Sequence, residues 1–146
     1  MSDMTDEREL LKTFYKEAQS LIAEMREDIS ALIKGQSPEV KSKKGKSSIF
    51  SRLFRHAHTI KGNSAAMGFD DLRETAEVLE NIFKAAKDEK LKINAGVIAL
   101  LHESIEACQK MLDKEEVTDH KKLLERLNSI LGLREKTNFW IEMRKR

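Results

Sequence analysis

The sequence predicts an all-α fold: an up-and-down antiparallel bundle with a four-helix core and one or two further helices at the C-terminal end. Three observations point there. Apolar residues recur at three- and four-residue steps through most of the chain. Short polar connections separate the segments so marked, which makes neighbouring helices run antiparallel. No stretch shows the two-residue alternation of a strand, an internal repeat or a glycine-rich phosphate loop. With 146 residues, 40% of them hydrophobic, the chain has the size of one domain with one core. Residues 1–146 are therefore read as a single helical domain, with the bundle over 5–113 and a C-terminal extension over 117–146.

The first helix is expected over residues 5–34, with Thr5 as N-cap, Asp6 and Glu7 favouring the helix dipole, and Leu10, Phe14, Ala18, Leu21, Met25, Ile29 and Leu32 as its apolar stripe. Gly35 to Ser48 holds the only proline, two glycines, four lysines and four serines, and reads as a surface loop. A second helix is expected from a cap at Ser47 or Ser48 to Gly68, where glycine takes the left-handed conformation that ends a helix. Its stripe is Phe50, Leu53, Phe54, Ala57, Ile60 and Met67. After a tight turn, Asp70 or Asp71 caps a third helix with Leu72, Thr75, Ala76, Leu79, Ile82, Phe83 and Ala86 facing the core. Asn94 caps a fourth, carrying Val97, Ile98, Leu101, Ile105, Cys108, Met111 and Leu112. A fifth runs from Thr118 through Leu123, Leu124, Leu127, Ile130 and Leu131 to Gly132, and a last segment, Asn138 to Arg146, holds the only Trp beside a basic end.

Composition excludes several function classes. Lys and Arg number 27 against 25 Asp and Glu, a net charge of +2 mixed along helical faces, so no basic field calls for nucleic acid. The single cysteine, Cys108, sits in an apolar helical row and reads as a buried reduced thiol, not as a disulfide or metal ligand. No apolar run approaches the roughly 20 residues of a membrane span, and the first residues are polar and acidic. A cytoplasmic protein without membrane contact is expected.

The chemistry gathers in residues 50–68. His58 continues the four-residue row of Phe50 and Phe54, next to the buried Ala57, so it falls at the border between core and solvent. Gly62 continues that row and Ala65 and Ala66 follow, leaving little side-chain bulk beside the imidazole. Glycine inside a helix costs about 1 kcal/mol relative to alanine, a cost that fits close approach of another group. Lys61 brings an ammonium to the same face at i+3, and Glu80, bordering the next helix's stripe, is placed to meet His58 from the antiparallel neighbour. A nucleophile, a cation and an open approach point to the handling of an anion. The other three histidines, His56, His102 and His120, read as surface residues; His56 projects to a different face from His58 and does not chelate with it.

The stretch His58-Thr-Ile-Lys61-Gly62-Asn-Ser64-Ala65-Ala-Met-Gly68-Phe69, followed by Leu79-Glu80-Asn81 with Glu80 22 residues after His58, resembles the histidine-containing phosphotransfer family. The likeness is strongest to the N-terminal phosphotransfer domain of chemotaxis histidine kinases, and it covers residues 8–113. The resemblance implies that His58 is the phosphoacceptor, that Lys61 stabilises the phosphoryl group and that Glu80 hydrogen-bonds the imidazole. One departure stands at Glu77, where those domains often carry a second histidine one turn before the glutamate. With Glu80 on the Nδ1 proton, Nε2 is the expected nucleophile. Phosphoryl transfer needs in-line approach and charge neutralisation, which Gly62, Ser64 and Ala65 as an unobstructed surface and Lys61 as a cation would serve. The resemblance further implies a phosphorelay carrier and not an enzyme, with histidine kinase and response-regulator receiver domains as partners. No cofactor or metal of its own is implied, since the receiver supplies Mg²⁺ and the acceptor aspartate. A monomer is expected. Two other readings compete: a non-phosphorylated helical adaptor or dimerisation module of the same fold, and the detached phosphotransfer head of a chemotaxis-type kinase.

Overall fold

The structure is a computed structural model that describes residues 2–35 and 43–144, with side chains over 6–35 and 48–132. Five helices follow one another: α1 Ser2–Lys34, α2 Lys43–Met67, α3 Asp70–Lys87, α4 Ala95–Leu112 and α5 His120–Arg144. The first four form the bundle, α1 packing on α2 and α4, and α3 on α2 and α4; α5 lies along α3 and touches α4. The α2–α3 pair is the most extensive contact, and it carries the site. No strand occurs among the described residues.

The sequence pattern explains the core. All seven stripe positions of α3, from Leu72 to Ala86, are buried. On α4 the burial is wider than one stripe, taking in Leu100, Ser104 and Ala107 as well, because this helix packs against α1 on one side and α3 and α5 on the other. On α1 the buried seam is Phe14, Ala18, Ile22, Met25, Ile29 and Leu32. Leu10, expected on that seam, is 60% exposed. One turn later, Phe14 packs on Phe69 in the α2–α3 turn with ring centroids 4.9 Å apart, so the row runs off the end of the bundle before it reaches Leu10. Leu21 is only half-buried, and Ile22 takes its place in the core.

Helix ends show both agreement and correction. Gly68 has φ +76°; Phe69 N–H donates to Ser64 O at 2.9 Å and Gly68 N–H to Ala65 O at 3.4 Å, the paired bonds of a Schellman ending. Asn94 caps α4, its side chain accepting from Val97 N–H at 2.9 Å. α1 begins at Ser2, before the expected cap at Thr5, whose side chain lies outside the described residues. α2 begins at Lys43, not at Ser47 or Ser48; of the expected loop, residues 36–42 lie outside the described residues. Neither Asp70 nor Asp71 caps α3: the N-cap is Phe69, with no side-chain cap bond. Its ring is committed to Phe14, and that packing fixes where the helix starts. Gly132 does not end α5, which runs on as one helix to Arg144; Gly132 shows no left-handed backbone conformation, so nothing breaks the chain of helical bonds there. The Trp of the last segment lies outside the described side chains. His56 and His120 are not surface residues but half-buried, both 18% exposed at the side chain. His56 faces Glu24 of α1 at 3.0 Å, and His120 lies between Asp71 and Glu74 of α3 at 3.7 and 3.8 Å.

Polar contacts between helices set their register. Arg26 on α1 pairs with Glu106 on α4 at 2.5 Å, and Arg52 on α2 with Asp28 on α1 at 3.0 Å. Such surface pairs contribute about 0–1 kcal/mol each. At the end of the bundle Tyr15 OH donates to Asp113 Oδ1 at 2.5 Å. That bond raises the Tyr15 pKa from its ordinary value of 10.0 and, helped by Gln109, lowers that of Asp113 from 3.8. A lowered carboxyl contributes stability above its unfolded pKa and loses it as pH falls through the folded value; a raised phenol contributes below its unfolded pKa and loses it as pH rises through the folded value. Tyr15→Phe is thus expected to remove part of the stability lost below about pH 4 and part of that lost above about pH 10, which denaturant titrations across pH would show. The buried Cys108 thiol, whose pKa burial pushes up to about 12, adds to the alkaline loss in wild type and variant alike.

Candidate functional site

Two helices build the site. His58 and Lys61 lie one turn apart on α2, and Glu80 faces them from α3. Because Leu53, Ala57 and Ile60 of α2 and Leu79, Ile82 and Phe83 of α3 are buried, the border residues beside them are brought into contact. His58 Nδ1 lies 2.7 Å from Glu80 Oε2, and Lys61 Nζ donates to Glu80 Oε1 at 3.1 Å. A carboxylate only accepts, so the hydrogen of the first bond sits on Nδ1. In the neutral ring this leaves the lone pair on Nε2, which makes no hydrogen bond to any described residue. Exposure separates the roles: the Glu80 side chain is 13% exposed, the His58 side chain 65%. The carboxylate is held fast in the helix interface and the imidazole stands out from it.

The space beside the imidazole is open. Gly62, Ala65 and Ala66 are exposed, and a Cβ added at Gly62 would meet nothing within 4 Å. The chain's own packing therefore does not require glycine there. Gly62→Ala is expected to stabilise the protein by about 1 kcal/mol through helix propensity alone; thermal melts of the variant check this, and a melting temperature at or below that of wild type would show that the packing needs the glycine. Ser64, expected on this surface, is not part of it. It is fully buried on the core side of α2, and its hydroxyl has no hydrogen-bond partner among the described residues. Its position four residues after Ile60 and seven after Ala57 places it on their stripe, a spacing that the small, polar side chain concealed.

The structure also places residues that the sequence reading left in other roles. Phe54, assigned to the core stripe, is only partly buried and lies against the imidazole, with ring centroids 6.3 Å apart and planes 20° from parallel. Lys87 of α3 sits over the Phe54 ring, Nζ 5.2 Å from its centroid. Glu77 pairs with Arg73 at 3.3 Å within α3. Among the described residues no group of three or more His, Cys, Asp or Glu side chains is placed to hold a metal ion, and no helix is long and apolar enough to cross a membrane.

The family model for the Hpt domain matches residues 9–129, which extends the likeness past the bundle into α5. Chemotaxis protein CheA of Klebsiella aerogenes is 33% identical over 102 residues, 70% of this chain and 14% of that protein. CheA of Borreliella burgdorferi is 32% identical over 107 residues, 73% of this chain and 12% of that protein. The chain thus spans about one-seventh of the length of the curated relatives it matches. The solved structure of the phosphorylated P1 domain of CheA3 in complex with CheY6 from R. sphaeroides shares the fold. It has a TM-score of 0.67 at 19% identity, covering 83% of this chain and 94% of that one. A match over most of the chain, on the helices that hold His58 against Glu80, places this protein in the histidine-containing phosphotransfer (Hpt) domain family.

Proposed function

We propose that this protein carries a phosphoryl group on His58 Nε2, accepting it from a histidine kinase or a phosphorylated receiver and passing it to the aspartate of a response-regulator receiver domain. The observation that carries this reading is an imidazole 65% exposed whose Nδ1 is bound to a nearly buried carboxylate, while Nε2 bonds to no described residue. In the accepting step the Nε2 lone pair forms the N–P bond as the donor's bond to phosphorus breaks. The Nδ1 proton stays on the ring, shared with Glu80, and offsets the positive charge that develops there. In the return step the N–P electron pair goes back to Nε2 as a carboxylate oxygen of the receiver bonds to phosphorus. Lys61, 29% exposed and one turn from His58, is the cation within reach of the phosphoryl oxygens, and its exchange from Glu80 to phosphate would accompany loading.

In this reading the protein is a carrier and not a catalyst. Mg²⁺ comes with the receiver, and the buried reduced thiol fits the cytoplasm. The relatives add a second reading, that the chain corresponds to the phosphotransfer head of a chemotaxis-type kinase, since the curated proteins it matches are far longer CheA chains. The two differ in where phosphate comes from, not in the acceptor. The test is incubation of the purified chain with phosphoramidate, followed by intact-mass and acid-lability analysis and then addition of a receiver domain. One acid-labile, base-stable phosphate that disappears on adding the receiver is expected. No uptake would favour a non-phosphorylated adaptor of the same fold.

A further inference from the structure

The geometry points to Phe54 as a positioning residue for the His58 imidazole, a role that rests on the reading of His58 as the phosphoryl acceptor. Side chains on a helix lean toward its N-terminus, so a residue rests over the one four positions earlier; for His58 that residue is Phe54. The two rings lie 20° from parallel with centroids 6.3 Å apart, within the range of offset aromatic pairs. A single hydrogen bond from Nδ1 to Glu80 fixes one edge of the imidazole, but on a side chain 65% exposed it leaves the ring free to swing off the carboxylate into solvent, where the proton exchanges between the two nitrogens. A second contact on the ring face removes the swing. Phe54 can supply it because Phe54 is itself held, packed against the core and covered by Lys87 from α3. The opposite direction is bare: Gly62, the residue whose side chain would lean over His58, has none. Nε2 is thus held in one orientation and left approachable from one side. Lys87 and Glu80, both on α3, bear on the ring by separate routes, one through Phe54 and one directly.

The test compares the full chain with Phe54→Leu, which keeps apolar bulk but removes the aromatic face, and with Phe54→Tyr, which restores that face. The first readout is the rate of His58 labelling by phosphoramidate; the second is the separation of the imidazole Nδ1 and Nε2 ¹⁵N chemical shifts, which is wide for one fixed tautomer and narrows when the ring averages. Phe54→Leu is expected to label about tenfold more slowly, the cost of a misplaced nucleophile, with a narrowed separation, and Phe54→Tyr to match wild type in both. Labelling of Phe54→Leu at the wild-type rate, or slower labelling with the wild-type separation, would overturn the assignment. Should Phe54→Leu fail to fold, Lys87→Gln decides: a narrowed separation supports the role, and an unchanged one overturns it. A wild-type chain that takes no label would sink the phosphoacceptor reading by itself. The ¹⁵N separations would still decide whether Phe54 orients the ring.

Discussion

His58→Gln is expected to take up no acid-labile phosphate from any donor, while its circular dichroism and melting temperature stay close to wild type. The stability half follows from exposure: 65% of the His58 side chain is in solvent, so glutamine neither opens a cavity nor buries an unpaired group. Glu80 keeps Lys61 as a partner at 3.1 Å, and the glutamine amide can donate where Nδ1 did. The chemical half follows from what an amide lacks, a nitrogen lone pair free to form a bond to phosphorus. His56 does not substitute for it, because its Nε2 is engaged with Glu24 on the far side of α2. Nor does His120, half-buried against α3. Intact mass before and after phosphoramidate treatment decides; a phosphate of normal yield on the variant would place the acceptor elsewhere.

Glu80→Ala is expected to slow uptake by on the order of 10- to 100-fold, as when an outer carboxylate that orients a metal-bound histidine is removed, and by less than the roughly 10⁴-fold of a triad aspartate. Without the carboxylate, the tautomer with the proton on Nε2 becomes populated, and in it the reacting nitrogen has no lone pair to offer. The imidazolium formed on attack also loses the charge that offsets it. A surface site that water reaches from most sides will lose less than a deeply enclosed one, which keeps the effect well short of abolition. The variant should remain folded: His58 and Lys61 are 65% and 29% exposed, so both can turn to water when Glu80 goes, at a cost of about 1 kcal/mol or less. Rates that fall while the melting temperature holds would separate orientation from structure; a rate within twofold of wild type would remove Glu80 from the mechanism.

Much of this arrangement can be read from residue spacing. The α3 seam is buried at every expected position because a helix pressed between neighbours obeys its period strictly. The 22-residue interval between His58 and Glu80 is legible because the intervening turn is short and closed by Gly68. Features that depend on non-local contacts were not legible. Phe69 rather than an aspartate begins α3, since Phe14, 55 residues earlier, fixes that ring. Leu10 stands 60% exposed because the bundle ends, a fact about the other helices. The first turn of α2 carries lysines and a glycine with no periodic apolar residue, so nothing local marks it; once Ile49 and Phe50 are buried, extending a helix backward costs little. At the site, the acceptor, cation and carboxylate were visible as residue types, but the aromatic face beside His58 was not. A phenylalanine at helical spacing reads first as core, and only its partial exposure shows that one face is spent on the imidazole.

Cys108 offers a practical consequence. Its thiol is buried between α4 and the rest of the core, 2% exposed, and it is the only cysteine of the chain. A thiolate forms there only when the bundle opens, so the rate at which a thiol reagent modifies the native protein would count opening events and measure their free energy. Loading His58 with phosphate, or docking a partner across α2 and α3, would then register as a change in that rate at a residue on neither of those helices. The chain carries its own built-in clock for how tightly the bundle is closed.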